Sequence, residues 1–590
     1  MATSDQQSTI STPLVWRVNV RTRTCTREPV PEGWLRLGGR ALVARILVDE
    51  VPATCEPLGP YNKLLFCPGL LVGHMLSACD RLSIGGKSPL TGGVKEANAG
   101  GTTGLQMVYL GIKALIIEDM PAEPGWWVLH LSAHGARFDK AEDGGSEHGL
   151  VGLGVHDAAH RLLEKYGSNV ALSLIGQGGE MKLCASGIQN LDKDHRPSRI
   201  AARGGLGAVM GSKGLKAIVF DAAQGQKPHV VDPEGFKEAQ KAYTKAVIEH
   251  PQSRVYKDYG TTAVARMAYS FGALPTRNFS SGNFEQMENI SGETLRQTIL
   301  ERGKQNIPGS EAQPSHACMP GCTIQSSNVF ADANGKCIVS PLEYETIALM
   351  GTNLGIGNLE QIARLNAAAD DIGIDTIEIG ATLGVAAEAG LLKFGDWERA
   401  LELIDEIRRG TPLGRILGNG AAITGKVFGV DRVPVVKNQA MSGYEPRAIK
   451  GTGVTYATSP QGADHTCGLT IRDKVDHLDP KGQADLSRTK QINMAGFDSL
   501  GACIFAGFGF SLVPQVISQF INTRYGWGVP VTFLQDLGKE SLKLEREFNR
   551  LAGFTPADDR LPEFMTREPL PPLNPVFDVP NEDLDGVFNW

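Results

Sequence analysis

Two short stretches of this chain place acids where chemistry could use them. Asp498-Ser-Leu-Gly-Ala-Cys503 sets a carboxylate and a thiol around a glycine, and Asp370-Asp-Ile-Gly-Ile-Asp375 has nearly the same form. Both read D-x-x-G-x-(D/C), and both follow a helix-like run that the glycine would close in a left-handed cap. As a pair they imply two similar ligands, or one ligand with two similar halves; singly they read as ordinary helix C-termini carrying surface acids. Cys318 and Cys322 lie in Pro314-Ser-His-Ala-Cys-Met-Pro-Gly-Cys322, a Gly/Pro loop suited to wrapping an iron–sulfur cluster. Cys503 would be a third ligand; the alternative is buried structural thiols. Glu345, ahead of an apolar helix, and His465, in a glycine turn beside an acid, could converge as a base and a polariser of a carbonyl.

Two glycine clusters suit phosphate. One runs from Arg81 through Lys87 to Gly93 and continues as Glu96-Ala-Asn98-Ala-Gly100-Gly-Thr-Thr-Gly104; the other is Arg203-Gly204-Gly-Leu-Gly. Backbone N–H groups would face the anion, with Arg81, Lys87 and Arg203 neutralising it. Glycine-rich hairpins are the alternative. Neither cluster is a Walker loop, and the dinucleotide fingerprint of a nicotinamide dehydrogenase is missing. The implied ligand has two phosphates and two hydrogen-bonding heterocycles.

These residues need scaffolding. At 590 residues the chain is too long for one core. Its 42% hydrophobic and 21% charged residues are globular, and a net charge of -7 argues against nucleic acid. Seventy glycines fit backbone closely approaching a large polar cofactor. Ten scattered cysteines form no disulfide framework, the opening MATSDQQSTISTPLVW has no secretion-signal pattern, and no apolar run is long enough for a membrane span. A cytoplasmic protein is expected.

ALVARILV, MVYLGIKALIIED, WWVLHLSA and LKAIVFDA read as strands, while PEGFKEAQKAYTKAVIEH, NLEQIARLNAAADDIG, TIEIGATLGVAAEAGLL and DWERALELIDEIRRG read as helices. The fold class is α+β. A β-rich cofactor-binding domain (1–225) precedes two mainly helical domains, 226–435 and 436–590. The proline-rich tail is expected to be extended and to wrap the surface.

The whole constellation resembles the aldehyde:ferredoxin oxidoreductase family, tungsten enzymes built on a bis-pyranopterin cofactor. KSPLTG, ARGGLGAVMGSKGLKAI, EYETIALMG, DIGIDT, YATSPQGADHT and DSLGAC carry the resemblance, in the family's order. It implies that Arg81, Asn98, Gly100, Arg203 and Gly204 contact the pterin phosphates, with the Asn98 and Gly204 carbonyls holding a bridging magnesium ion. Asp370, Ile374 and Asp375 would serve one pterin, and Asp498, Ala502 and Cys503 the other. Glu345 and His465 match the acid–base pair beside the metal, which takes no protein ligand; molybdenum could replace tungsten. One departure is plain: the family's C-x-x-C-x-x-x-C begins here with Ser315. Cys318, Cys322 and Cys503 match the other cluster ligands. A serine oxygen, His316, water or a partner's residue would complete a 4Fe–4S cluster, unless it is three-iron or lost. The family's subunit-bridging iron has no match.

The implied reaction is oxidation of an aldehyde to a carboxylate, with electrons passing through the cluster to ferredoxin or to an iron–sulfur or flavin partner subunit in an oligomer. The alternatives are a reductase or 2-hydroxyacid/2-oxoacid oxidoreductase on the same cofactor, and a non-catalytic scaffold or electron-relay subunit.

Overall fold

The computed structural model describes residues 12–142, 144–146 and 149–590. Residues 1–11, on which the reading of no secretion signal mainly rests, lie outside them.

The first third folds as a repeated β unit. Strands β1 (Leu14–Asn19), β2 (Thr24–Pro29), β3 (Leu64–Pro68), β4 (Leu82–Lys87), β5 (Val94–Ala99) and β6 (Ile112–Glu118) form one sheet, ordered β2-β1-β6-β3-β4-β5. Strands β7 (Trp126–Ser132), β8 (Gly135–Ala141), β9 (Ala171–Leu174), β10 (Ile188–Leu191), β11 (Pro197–Ala201) and β12 (Leu215–Asp221) form the second, ordered β11-β10-β9-β12-β7-β8. Read from the opposite edge, the second order repeats the first. In each unit the first and last strands are parallel (β1 with β6, β7 with β12) and the other pairs antiparallel. Val18, Leu64, Phe66 and Ile117 of one sheet share a core with Leu129, Ile188, Ile218 and Phe220 of the other, and the rings of Phe66 and Phe220 lie 6.2 Å apart. Burial on both faces suits the apolar, β-branched runs of LKAIVFDA and KALIIE.

Helices dominate the rest of this α+β chain, including Pro233–Glu249, Gly292–Glu301, Leu359–Ile372, Thr376–Glu388 and Trp397–Arg409, as their periodicity predicts. Helix Gln483–Leu500 packs between Phe533–Ala552 and Gly39–Glu50. That last helix corrects the expected strand ALVARILV. Nearly every residue from Gly39 to Leu47 is buried, so the run shows neither alternation nor one apolar stripe, and periodicity cannot separate such a helix from a buried strand. Likewise MVY belongs to helix Thr103–Tyr109, and only the later part of that run is strand β6. The tail runs without regular structure from Glu568 to Pro580, burying Leu570, Phe577 and Val579, and ends in helix Asn581–Gly586.

Among the described residues no single helix is long and apolar enough to cross a membrane. Gln483–Leu500 and Ile504–Leu512 pass together by composition but meet at 105°.

Arg40 ties three elements together. Its guanidinium donates to Glu545 at 2.7 and 2.9 Å and reaches Asp498 at 3.2 Å, all buried. Arg40→Met would strand two buried carboxylates, a loss of about 3–5 kcal/mol. The denaturant midpoint of the variant should fall accordingly, and an unchanged midpoint would contradict this role.

Candidate active site

Each acidic turn is clamped by the equivalent loop of one β unit. Gly373 (φ 78°, ψ 46°) and Gly501 (φ 79°, ψ 23°) are the left-handed caps expected of them. The β3–β4 loop holds the second turn. Leu70 and Leu71 N–H donate to Ser499 and Leu500 O at 3.2 and 2.9 Å, Arg81 N–H to Gly501 O at 3.0 Å, and Cys503 N–H back to Ala78 O at 2.7 Å. The β9–β10 loop holds the first, with Asp375 N–H donating to Ala185 O at 2.9 Å and Gly187 N–H to Gly373 O at 3.0 Å. Close approach requires glycine on both sides: a Cβ at Gly69 would lie 2.0 Å from Gly501 N, and one at Gly176 2.2 Å from Ile372 O.

Between the turns lies a cavity of about 360 Å³ lined by Arg81, Asn98, Gly100, Glu345, Asp370, Asp375, His465, Cys318 and Cys503 among others. An adjoining cavity of about 190 Å³ is lined by Arg203, Asp498 and Ala502, and shares Arg81, Asn98, His465 and Cys503. Ile374 and Gly204 stand behind these walls. Ile374 bridges to Ser186, and the Gly204 carbonyl accepts from Ser88 Oγ at 2.7 Å. The Asn98 carbonyl accepts from Arg81 Nη2 at 3.3 Å.

Glu345 and His465, far apart in sequence, touch. His465 Nε2 is 3.1 Å from Glu345 Oε1, and Gly443 N–H fixes Glu345 Oε2 at 2.8 Å. Glu345 begins a helix that widens into a π turn at Ile347–Gly351, and His465 opens a short turn capped by Asp464. Tyr444 packs beside the imidazole with ring centres 5.6 Å apart.

The electrostatics are those of a polar ligand's bed. Burial pushes Asp370 up to about 7 against Arg199, and its side-chain partner Asn366 is 3.4 Å away. Burial, with Glu96 beside it, pushes Asp498 up to about 8 against Arg40. Burial alone would raise Asp464, but Lys95 (3.1 Å) and Arg203 outweigh it and hold that carboxyl well below the usual range. Arg203 donates to Asp375 at 3.3 Å and to the Ala463 carbonyl at 2.7 Å. Among the described residues, Arg199 Nε and His465 Nδ1 are buried without a hydrogen-bond partner. Carboxylates short of donors, beside guanidinium groups and close-set glycines, fit a ligand offering ring N–H donors and anionic groups.

Cys318, Cys322 and Cys503 lie near enough to act on one another electrostatically, and burial raises the first two, Cys322 to about 12. Three soft donors in one buried neighbourhood fit an iron–sulfur cluster. Ser315 takes another course: its hydroxyl donates to Gln325 O at 3.0 Å.

Two readings need correction. The run from Arg81 to Gly93 is largely strand β4 and the hairpin turn to β5, where Ser88 N–H donates to Gly93 O and Ser88 Oγ accepts from Thr91 N–H. Lys87 points away from the cavity and donates to the Cys55 carbonyl at 2.8 Å. Sequence reasoning also missed Arg40, Lys95 and Arg199, and gave no role to Glu96 or to Asp464, the acid beside His465. An isolated charge in an apolar run, as at Arg40, was the only available signal.

Sequence models for the N-terminal domain of aldehyde ferredoxin oxidoreductase and for its domains 2 and 3 match residues 15–222 and 238–583. A tungsten-containing aldehyde ferredoxin oxidoreductase of Pyrococcus horikoshii is 30% identical over 94% of this chain and 92% of its own length. The WOR-like subunit of an aliphatic sulfonate oxidoreductase of Pyrococcus furiosus is 28% identical over 92% of this chain and 88% of its own. The active-site complex BamBC of benzoyl coenzyme A reductase shares the fold, with a TM-score of 0.78 at 18% identity, covering 98% of this chain and 94% of that one.

The raised carboxyls have a pH signature. The stability they lend is fully present below about pH 4 and is lost as pH rises through about 7 and 8, because the folded chain retains protons that the unfolded chain releases. Protein purified free of ligands should therefore lose stability between about pH 5 and pH 8, and Asp370→Asn should lose less. Equal pH dependence of the two thermal midpoints would remove Asp370 as a source.

Proposed function

This chain belongs to the aldehyde ferredoxin oxidoreductase family of tungsten-containing oxidoreductases, and we propose that it oxidises an aldehyde to a carboxylate. The balance is RCHO + H₂O → RCOO⁻ + 3H⁺ + 2e⁻. The observation carrying this reading is the Glu345–His465 contact in the wall of a cavity flanked by both acidic turns.

Asp370, Ile374 and Asp375 would hold one pterin of a tungsten (or molybdenum) bis-pyranopterin, and Asp498, Ala502 and Cys503 the other. Arg81, Asn98, Gly100, Arg203 and Gly204 would meet its phosphates, with the Asn98 and Gly204 carbonyls turned to magnesium. When bound, this group and a 4Fe–4S cluster on Cys318, Cys322 and Cys503 supply the two-electron sink and its outlet. The remaining work falls to side chains. A ring N–H of His465 donates to the carbonyl oxygen, raising the electrophilicity of its carbon. Glu345, held by Gly443 N–H, takes the proton from the water that adds there. The Tyr444 ring shields one flank of the pair from solvent, strengthening both interactions.

The proposal includes a partner subunit or ferredoxin as electron acceptor, in a cytoplasmic oligomer; the relative named as a WOR-like subunit supports the partner subunit. The three-part division at about 225 and 435 stands as the proposed domain organisation.

Glu345→Gln should lower kcat by about 10²–10⁴-fold while tungsten and organic phosphorus per chain stay at the parent's level. Full turnover in this variant would exclude Glu345 as the base. Anaerobically purified protein holding neither tungsten nor molybdenum would overturn the reading as a whole.

A further inference from the structure

The cluster-binding loop lacks the family's first cysteine; of the two neighbouring candidates for that corner, Ser315 is engaged elsewhere and His316 has one ring nitrogen committed. Ser315 Oγ donates to the Gln325 carbonyl at 3.0 Å. His316 turns Nε2 to Asp194 at 2.6 Å, with Asp192 at 3.7 Å, which leaves it only Nδ1, buried without a hydrogen-bond partner. A neutral hydroxyl is in any case a poor match for iron in a sulfide core, where thiolate is the preferred ligand.

A fourth thiol, Cys79, lies on a loop joined to both thiol-bearing segments. The β3–β4 loop that clamps the second acidic turn is stitched to both thiol-bearing segments. Its Ala78 carbonyl accepts from Cys503 N–H at 2.7 Å. Its Ser77 Oγ lies 2.8 Å from Thr323 Oγ1 and accepts from Thr323 N–H at 3.1 Å, immediately after Cys322. Gly321 fits so closely that a Cβ there would lie 2.3 Å from Met75 O. Cys79 is therefore the next residue after the anchor of Cys503 and two after the anchor of Thr323. Its side chain is fully buried and within electrostatic reach of both Cys503 and Cys322. Its one hydrogen-bond contact among the described residues is a weak one, 3.6 Å from Tyr243 Oη, and that hydroxyl already donates to Ser77 O at 2.8 Å. This loop belongs to a region without any recognised cysteine motif, which is why the sequence pattern does not point to it.

We propose that Cys79 is the fourth thiolate ligand of the iron–sulfur cluster, joining Cys318, Cys322 and Cys503 in the corner that Ser315 leaves open. Binding exchanges the S–H bond of Cys79 for an S–Fe bond and releases the proton to solvent, with no change of oxidation state in the protein. The hydroxyl of Tyr243 then stands beside a cluster sulfur, a neighbour of the kind that tunes reduction potential. The inference rests on the reading of this site as cluster-bearing.

The test uses full-length protein purified anaerobically, with iron, sulfide and tungsten counted per chain and the cluster followed by electron paramagnetic resonance. The parent should carry about four cluster irons. Cys79→Ala should fall to about three or fewer, losing the reduced four-iron signal, with tungsten content and circular dichroism unchanged. Ser315→Ala and His316→Ala should keep the parent's iron and signal. Cys79→Ala combined with Ser315→Cys should regain both, since a thiol returns to the family's own position. Cys79→Ser, of nearly the same size, guards against a folding defect: a shifted reduced-cluster signal supports the assignment, and an unchanged one overturns it. Full iron and an unaltered signal in Cys79→Ala also overturn it, as does their loss in Ser315→Ala or His316→Ala. A parent with tungsten but no cluster iron would instead bring down the cluster reading, a result distinct from a cluster that ignores Cys79.

Discussion

Two helix ends, each closed by a left-handed glycine and each carrying a buried carboxylate, are pinned by backbone hydrogen bonds to the two halves of the β region. Everything near the cavity depends on that pinning. A carboxylate at such depth is costly unless something accepts its charge or gives it a proton. At the second turn Arg40, itself neutralised by Glu545, offsets only part of the cost, and Asp498 is still pushed up to about 8 by burial and Glu96. At the first, Arg203 serves Asp375, while Asp370 keeps little but a long contact from Asn366. The protein thus stores unsatisfied acceptor capacity beside an open space. A ligand rich in N–H donors would release it, so part of the binding energy is set aside in the fold.

The duplication explains why there are two such turns. Each β unit sends its third-to-fourth-strand loop to one helix end, and each places a glycine where any side chain would collide with the turn. The copies diverge where chemistry needs them to differ. The first turn ends in Asp375, which caps the next helix by accepting from Ile377 N–H at 3.0 Å and takes Arg203. The second ends in Cys503, beside Cys318 and Cys322. One half of the cavity is therefore a charge anchor and the other faces the thiols.

Much of this was legible in residue order. The D-x-x-G-x-(D/C) turns could be read because glycine caps obey local backbone sterics, and the amphipathic helices because their stripe survives in sequence. Helix Gly39–Glu50 was misread since burial on every side erases the stripe. Lys87 was misassigned for a different reason: a lysine near glycines looks like an anion ligand, yet its ammonium is satisfied by carbonyls on the far side of the sheet. Arg40 and Lys95 were invisible as site residues, and Asp464 showed only as the acid beside His465, because each acquires its meaning from a partner hundreds of positions away.

The contact between Glu345 and His465 shows how such distant parts are made to agree. Glu345 is aimed by the start of a helix, by Gly443 N–H and by the wall of Tyr344, whose hydroxyl donates to the Gly443 carbonyl at 2.6 Å. His465 is aimed by a turn that Asp464 caps, and Asp464 is in turn fixed by Lys95 on strand β5 and drawn by Arg203. The geometry of the pair is thus set by both β units and by both helical regions at once. Loosening any one support shifts an atom that must sit within hydrogen-bond reach of the reacting carbonyl, where a displacement of about 1 Å costs about 10²-fold in rate. That sensitivity accounts for the amount of buried charge spent on holding two partly exposed side chains still.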